Sequence, residues 1–221
     1  MEFRDWEPDY ERILQDFGYS RKDDERAARE LAALASDKPQ CDDVCLTGMF
    51  GKCATIVAGP PVSGGRFAEL TKGTTLSVGI GTSLLLKEGI VPDFVVTDLD
   101  GDVATDLEAN RSGAVLVVHA HGDNIRAIHQ YIPSVQGQLV LTTQSEPFAE
   151  VHDFGGFTDG DRAVALAAHF GVLNIRLIGF DLLHPRPKSG SSPQTKAKKL
   201  RWAEKLIDQL AVKNDLNIEY L

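Results

Sequence analysis

The chain has no excess of basic charge. Its 221 residues carry 23 Lys and Arg against 32 Asp and Glu, a formal net charge of −9, and that balance excludes the basic surface a nucleic-acid binder needs. No apolar run approaches the about 18 residues of a membrane-spanning helix. The opening Met1-Glu-Phe-Arg-Asp-Trp6 is charged from the start and lacks a signal peptide's apolar region, so a cytoplasmic protein is expected. Cysteine is scarce. The three, Cys41, Cys45 and Cys53, do not have the paired Cys-x-x-Cys spacing of a zinc site, and buried or free thiols in a reducing compartment are expected. A P-loop is also missing. Gly59-Pro-Pro-Val-Ser-Gly-Gly65 has the glycines, but Gly65 and Arg66 stand where Lys and Ser or Thr are required. What remains there is a glycine-rich turn with backbone amides near a ligand.

A hydrophobic content of 43% and a charged content of 25% suit one globular domain with an appendage. Residues 1 to about 36 read as helical: Trp6, Tyr10, Ile13, Leu14 and Phe17 follow helical spacing, Gly18 stops the segment, and Ser20 with Asp23 opens a second helix. This pair is either a cap or dimerisation arm, or simply packs on the main domain. Lys38-Pro-Gln40 reads as a linker. From about residue 44, short apolar runs alternate with helical stretches. Strands are expected at 54–58, 76–78, 94–97, 115–118, 139–142 and 175–178, and helices at 82–88, 102–110, 124–131, 159–170 and 196–213. The fold class is therefore α/β, a mainly parallel sheet with helices on both faces. The organisation is an N-terminal helical region over 1–40 and an α/β domain over 41–221.

Ligands of such sheets sit outside the carboxyl ends of the strands, so the residues following each strand carry the chemistry. Val91-Pro-Asp-Phe-Val-Val-Thr-Asp-Leu-Asp-Gly101 is the densest case. Its strand ends in Asp98 and Asp100, which can reach one hard cation such as Mg²⁺ where the chain turns; a helix cap near Asp102 is the competing reading. The next strand yields His119-Ala-His-Gly-Asp-Asn124. Asp123 reads as a third acid for the same cation or as a cap, and Asn124 as a polar contact or cap. A transition-metal site on His119 and His121 lacks a third ligand at a supporting spacing. Phe154-Gly-Gly-Phe-Thr-Asp-Gly-Asp-Arg162 opens a helix whose N-terminus suits phosphate, although Thr158 and Asp161 also have capping-box spacing. Gly179-Phe-Asp181 adds an acid on the same rim. Pro185 to Thr195 reads as a mobile loop flanked by Lys188, Lys196, Lys198, Lys199 and Arg201, suited to closing over a polyphosphate or simply solvated.

Taken together, Phe3-Arg-Asp-Trp-Glu-Pro, Asp24-Glu-Arg-Ala, Pro92-Asp-Phe-Val-Val-Thr-Asp-Leu-Asp-Gly, His119-Ala-His-Gly-Asp-Asn, Gly155-Gly-Phe-Thr-Asp-Gly-Asp-Arg-Ala and Gly179-Phe-Asp resemble the archaeal 6-hydroxymethyl-7,8-dihydropterin pyrophosphokinases over nearly the whole chain. The Asp-x-Asp after a strand is also similar to that of thiamin pyrophosphokinases. The resemblance implies Mg²⁺-dependent transfer of diphosphate from ATP to the hydroxymethyl group of a reduced pterin, with release of AMP, in methanopterin or folate synthesis. A homodimer would suit the likeness. It implies Asp98, Asp100 and Asp123 as metal-binding, catalytic acids. His121, Asn124, Gly155 and Gly156 would contribute to the nucleotide or pterin site, as would Thr158, Asp159, Asp161 and Arg162. Lys199 would stabilise developing charge, with Lys188 and Lys198 on the nucleotide. One departure stands out: Gly79-Ile-Gly81 occupies a loop where family members carry an acid. Other readings of the Asp-x-Asp pair are a diphosphokinase of thiamin or another alcohol, a nucleotide-sugar glycosyltransferase, and a non-catalytic nucleotide sensor.

Overall fold

The computed structural model describes residues 3–62, 64–182 and 192–221. In chain order the elements are α1 (Phe3–Phe17), α2 (Arg21–Leu34), α3 (Asp43–Met49), β1 (Cys53–Val57), α4 (Phe67–Leu70), β2 (Thr74–Val78), α5 (Gly81–Lys87), β3 (Phe94–Thr97), α6 (Val103–Arg111), β4 (Val115–Ala120), a 3₁₀ turn (Gly122–Asn124), α7 (Ile125–Tyr131), β5 (Leu139–Thr143), β6 (Val151–His152), α8 (Asp159–His169), β7 (Asn174–Ile178), α9 (Pro193–Asn214) and β8 (Asn217–Tyr220). The strands form one sheet in the order β6-β5-β4-β3-β2-β1-β7-β8. Every pairing is parallel, as the alternation of strands and helices requires. The order reverses between β1 and β7. Such a switch leaves a crevice beyond the strand ends on either side of it.

Side chains alternate across the sheet with period two. Phe94 and Val96 of β3 join Ile56, Leu76 and Leu177 under α8 and α9. Val95 points the other way, with Leu116, Val118 and Leu141, under α2, α6 and α7. Both faces are thus covered, which is why the central strands read as unbroken apolar runs.

The N-terminal helices belong to these layers. On α2, Ala27, Ala28 and Leu31 enter the second core. On α1, Trp6, Tyr10, Ile13 and Leu14 pack with Phe157 and with Trp202 and Leu206 of α9. Their apolar faces are therefore covered by their own chain. Ser20 Oγ caps α2 by accepting from the Asp23 amide, and Gly18 takes a φ of +69° where α1 stops.

Two expectations are corrected. Lys38-Pro-Gln40 is not a free linker: Leu139 N–H donates to Pro39 O and Cys41 N–H to Leu139 O, so the segment bridges to the edge of β5. Cys41 and Cys45 are not thiols. They form a disulfide with Cα atoms 5.6 Å apart, because Asp42 caps α3 through the Cys45 amide and brings the pair together across one turn. Cys53 is free and exposed.

Candidate active site

A cavity of about 520 Å³ opens beyond the carboxyl ends of β3, β4 and β5, roofed by the N-termini of α8 and α9. Asp98, Asp100, His121 and Asp123 face it from the sheet side. Thr158, Asp159, Arg162 and Lys199 face it from the helices.

The two acids after β3 are brought together by backbone geometry. Leu99, between them, has a φ of +63°, the left-handed region that side chains other than glycine rarely adopt. Its buried side chain anchors the reversal in the apolar core, and the Thr97 hydroxyl accepts from its amide. The Asp100 amide then donates to Asp98 Oδ1 at 3.2 Å. Burial pushes the Asp98 carboxyl up. Hydrogen bonding from the His121 side chain and the pull of the Arg162 guanidinium outweigh burial and hold it well below the usual carboxylate range.

His121 has a defined polarity. Its Nδ1 accepts from the Asp123 amide at 3.3 Å, which leaves Nε2 as the donor facing Asp98 Oδ2 at 3.5 Å. Asn124 is spent on main chain: its Nδ2 donates to Asp98 O at 2.8 Å and His119 O at 2.7 Å, while its Oδ1 accepts from the His121 amide. It straps the ends of β3 and β4 together rather than presenting a polar group to a ligand. His119 lies inside the sheet. Its Nδ1 donates to Thr142 Oγ1, whose own proton goes to Val118 O. Burial and the nearby Arg162 charge hold it well below the usual histidine range.

On the helix side, Arg162 approaches the loop so closely that a Cβ on Gly156 would lie 2.7 Å from its Cα. Only glycine fits there, and Gly156 also takes a φ of +92°. Arg162 Nη1 donates to Asp159 Oδ1 at 3.3 Å and Nη2 to Gln144 Oε1 at 3.4 Å. Its Nε is buried without a hydrogen-bond partner among the described residues. Gly155 stands behind Arg162, outside the large cavity. Asp161 is fully buried, and its carboxyl accepts from the Phe157 and Thr158 amides and the Thr158 hydroxyl; these bonds cap α8, at the wall of a smaller neighbouring cavity.

The basic residues divide. The Lys199 ammonium lies 5.4 Å from the Phe157 ring centre and 5.8 Å from that of Tyr19, inside the cavity with Lys196. Lys198 turns away, pairing with Asp16 at 3.1 Å over the Phe17 ring. Lys188 lies outside the described residues. Sequence reasoning gave no role to Tyr19 or Gln144, both in the cavity wall. Gln144 had a signal, since it follows a strand on the ligand-binding rim; Tyr19 sits at a helix end remote in sequence and had none.

Among the described residues, no group of three or more His, Cys, Asp or Glu is assembled to hold a metal by itself. The donor set still fits Mg²⁺, which is bound by one or two carboxylates together with substrate phosphates. Asp98 and Asp100 are such a pair, and Asp123 faces the same space.

A second, largely apolar cavity of about 210 Å³ adjoins the first, sharing Thr158, Lys196 and Leu200. It lies at the β1/β7 reversal, beneath Ala58, Val78 and Phe180. The Gly79-Ile-Gly81 loop is explained nearby: a Cβ on Gly81 would lie 1.9 Å from Val57 O, so this loop is shaped by close packing against β1.

The model of the MptE-like 6-hydroxymethylpterin diphosphokinase family matches residues 68–186. A protein of Methanothermobacter thermautotrophicus named 6-hydroxymethyl-7,8-dihydropterin pyrophosphokinase is 41% identical, over 99% of both chains. One of the same name from Pyrococcus furiosus is 40% identical over 95% of this chain and 94% of its own. A third, from Methanocaldococcus jannaschii, is 32% identical over the full length of both. Among solved structures, a thiamine pyrophosphokinase from Bacillus subtilis is similar at 20% identity and a TM-score of 0.40, over 77% of this chain and 60% of that one. A likeness that distant leaves the assignment to the sequence relatives. On their evidence, and on the family match, the chain belongs to the MptE-like 6-hydroxymethylpterin diphosphokinases.

Proposed function

We propose that the site transfers the β,γ-diphosphate of ATP to 6-hydroxymethyl-7,8-dihydropterin, in keeping with the name shared by the full-length relatives. The pterin hydroxyl oxygen bonds to the β-phosphorus and gives up its proton to water, the bond from that phosphorus to the α-phosphate oxygen breaks, and AMP leaves with the electron pair. By family, the product serves methanopterin biosynthesis. The observation that carries the reading is the meeting of an acidic pair, two lysines, an arginine and a helix N-terminus around one cavity.

Such transfers need positioning and charge neutralisation more than covalent help. Asp98 and Asp100, with Asp123, would hold Mg²⁺, which when bound neutralises phosphate oxygens and favours in-line displacement. Arg162 binds the transferring phosphates from the helix side, with Asp159 fixing its fork. The N-terminus of α8 adds its amides and partial positive charge. Lys199 and Lys196 stabilise charge on the leaving phosphate. His121 and Asn124 act on geometry, holding Asp98 in place by side chain and by backbone. The apolar cavity at the sheet reversal takes the adenine ring, so the pterin lies on the other side of the phosphates, by Tyr19 and Phe157.

Two experiments test this. Mn²⁺ binding, read by electron paramagnetic resonance, is expected to weaken in Asp98→Asn and Asp100→Asn; unchanged binding removes the metal assignment. Phe180→Ala is expected to raise the KM for ATP and leave that for the pterin alone. The opposite pattern reverses the placement of the two rings.

A further inference from the structure

The N-terminal motif residues Trp6 and Asp24 have no part in the chemistry described so far, yet both grip Gln144. Asp24, on α2, is buried and accepts three hydrogen bonds. Its Oδ1 takes the Gly122 amide at 2.8 Å. Its Oδ2 takes the Tyr10 hydroxyl and Gln144 Nε2, each at 2.8 Å. Trp6 Nε1 donates to the Gln144 carbonyl at 2.9 Å, and Gln144 Oε1 accepts from Arg162. Gly122 lies between His121 and Asp123 in the sequence, and packs so tightly on α2 that a Cβ there would stand 2.7 Å from the Asp23 Cβ.

We propose that Asp24 and Gln144 are positioning residues of the active site, a relay by which the N-terminal helices set the orientation of Arg162 and of the turn carrying Asp123. This rests on the pyrophosphokinase reading of the cavity. Hydrogen-bond polarity decides the orientation. A carboxylate only accepts hydrogen bonds, and an amide has one accepting and one donating end. Asp24 therefore compels Gln144 to present its NH₂ inward, which turns Oε1 toward the Arg162 guanidinium. The same carboxylate, through its second oxygen, fixes the turn on the opposite wall. One buried charge thus sets both sides of the phosphate cavity, and neither α2 nor Gln144 need touch a reacting atom.

Asp24→Asn keeps the shape and reverses the polarity. Its oxygen still accepts from Gly122, so its NH₂ faces Gln144. Gln144 must then flip, placing NH₂ against Arg162, donor against donor. The kcat/KM for ATP is expected to fall about 10- to 100-fold, the range carried by residues that support the ligands of a site. The double variant Asp24→Asn/Gln144→Glu restores acceptors toward both the new amide on α2 and Arg162, and is expected to recover most of the loss. Tyr10→Phe removes a donor to Asp24 without reversing the relay, so it is expected to lower stability and leave kcat and KM unchanged. Should Asp24→Asn not fold, Gln144→Met removes both polar ends at similar size and is expected to give a comparable loss.

The series is measured by AMP release and, in parallel, by calorimetric binding of an ATP analogue with a non-cleavable α,β bridge. The binding arm reads the relay even if the wild-type protein forms no pterin-dependent AMP, an outcome that would count against the functional reading alone. Normal kinetics and binding in Asp24→Asn, or a double variant no better than the single, would overturn the proposal.

Discussion

Asp153 offers the sharpest stability test. It follows β6 and is 8% exposed. One carboxyl oxygen accepts from the Gly155 amide at 2.9 Å, and the other meets no partner among the described residues. Burial, only partly opposed by that hydrogen bond, pushes its carboxyl up to about 7, from an ordinary 3.8. A raised acid favours folding while protonated. Its contribution is complete below the unfolded value and is lost as pH rises through the folded one. The window therefore runs from 3.8 to about 7, and at 1.36 kcal/mol per unit the loss amounts to about 4 kcal/mol. Asp153→Asn keeps the acceptor for Gly155 and cannot ionise. Urea unfolding of both proteins between pH 4 and pH 8 should show curves that converge at the acid end and separate by up to about 4 kcal/mol in favour of Asn at pH 8. Curves that stay parallel across that range would refute the argument that burial, and not a missing contact, governs this group.

Asp98→Asn and Asp100→Asn should each lower kcat about 10²- to 10³-fold, the scale of losing one preorganised charge-stabilising group, with cooperative unfolding retained; near-normal turnover in both would dissolve the acidic site. Lys199→Ala should depress kcat, whereas Lys198→Ala, facing Asp16, should leave steady-state kinetics unchanged; equal effects would mean that α9 is rotated. Asn124→Asp removes both buried donors to Asp98 O and His119 O and should cost about 3 kcal/mol in urea unfolding; a change within error would deny it the role of a strap.

Much of the fold can be read in the chain because the central strands are covered on both faces. Phe94 to Val96 is an unbroken apolar run, closed by Thr97 before the two acids, and the strand expected over 94–97 coincides with β3. The elements missed are those where pattern fails. The strand β6 has two residues, and β8, at the sheet edge, is largely exposed, so neither shows an apolar run. The short helix α3 follows a proline-containing segment and gives no periodic face.

The site divides along the same line. Asp98 and Asp100 are legible because a strand's end must expose whatever follows it. Asn124 and Asp161 are residues whose type suggested ligand contact and whose hydrogen bonds go to the protein's own backbone and, for Asp161, to the Thr158 hydroxyl as well; residue type does not reveal where a polar group is satisfied. Lys198 and Lys199 are adjacent in sequence and so point about 100° apart on a helix. Only the position of α1 decides which of them meets Asp16 and which meets the cavity. Gln144 and Asp24 are 120 residues apart, and no local pattern joins them.

The most direct measurement is phosphorus NMR of the wild-type protein with ATP, Mg²⁺ and 6-hydroxymethyl-7,8-dihydropterin. AMP and a pterin diphosphate are expected in equal amounts if this chain transfers diphosphate, neither forming when the pterin is left out. ADP with a pterin monophosphate, or AMP appearing without the pterin, would contradict that transfer.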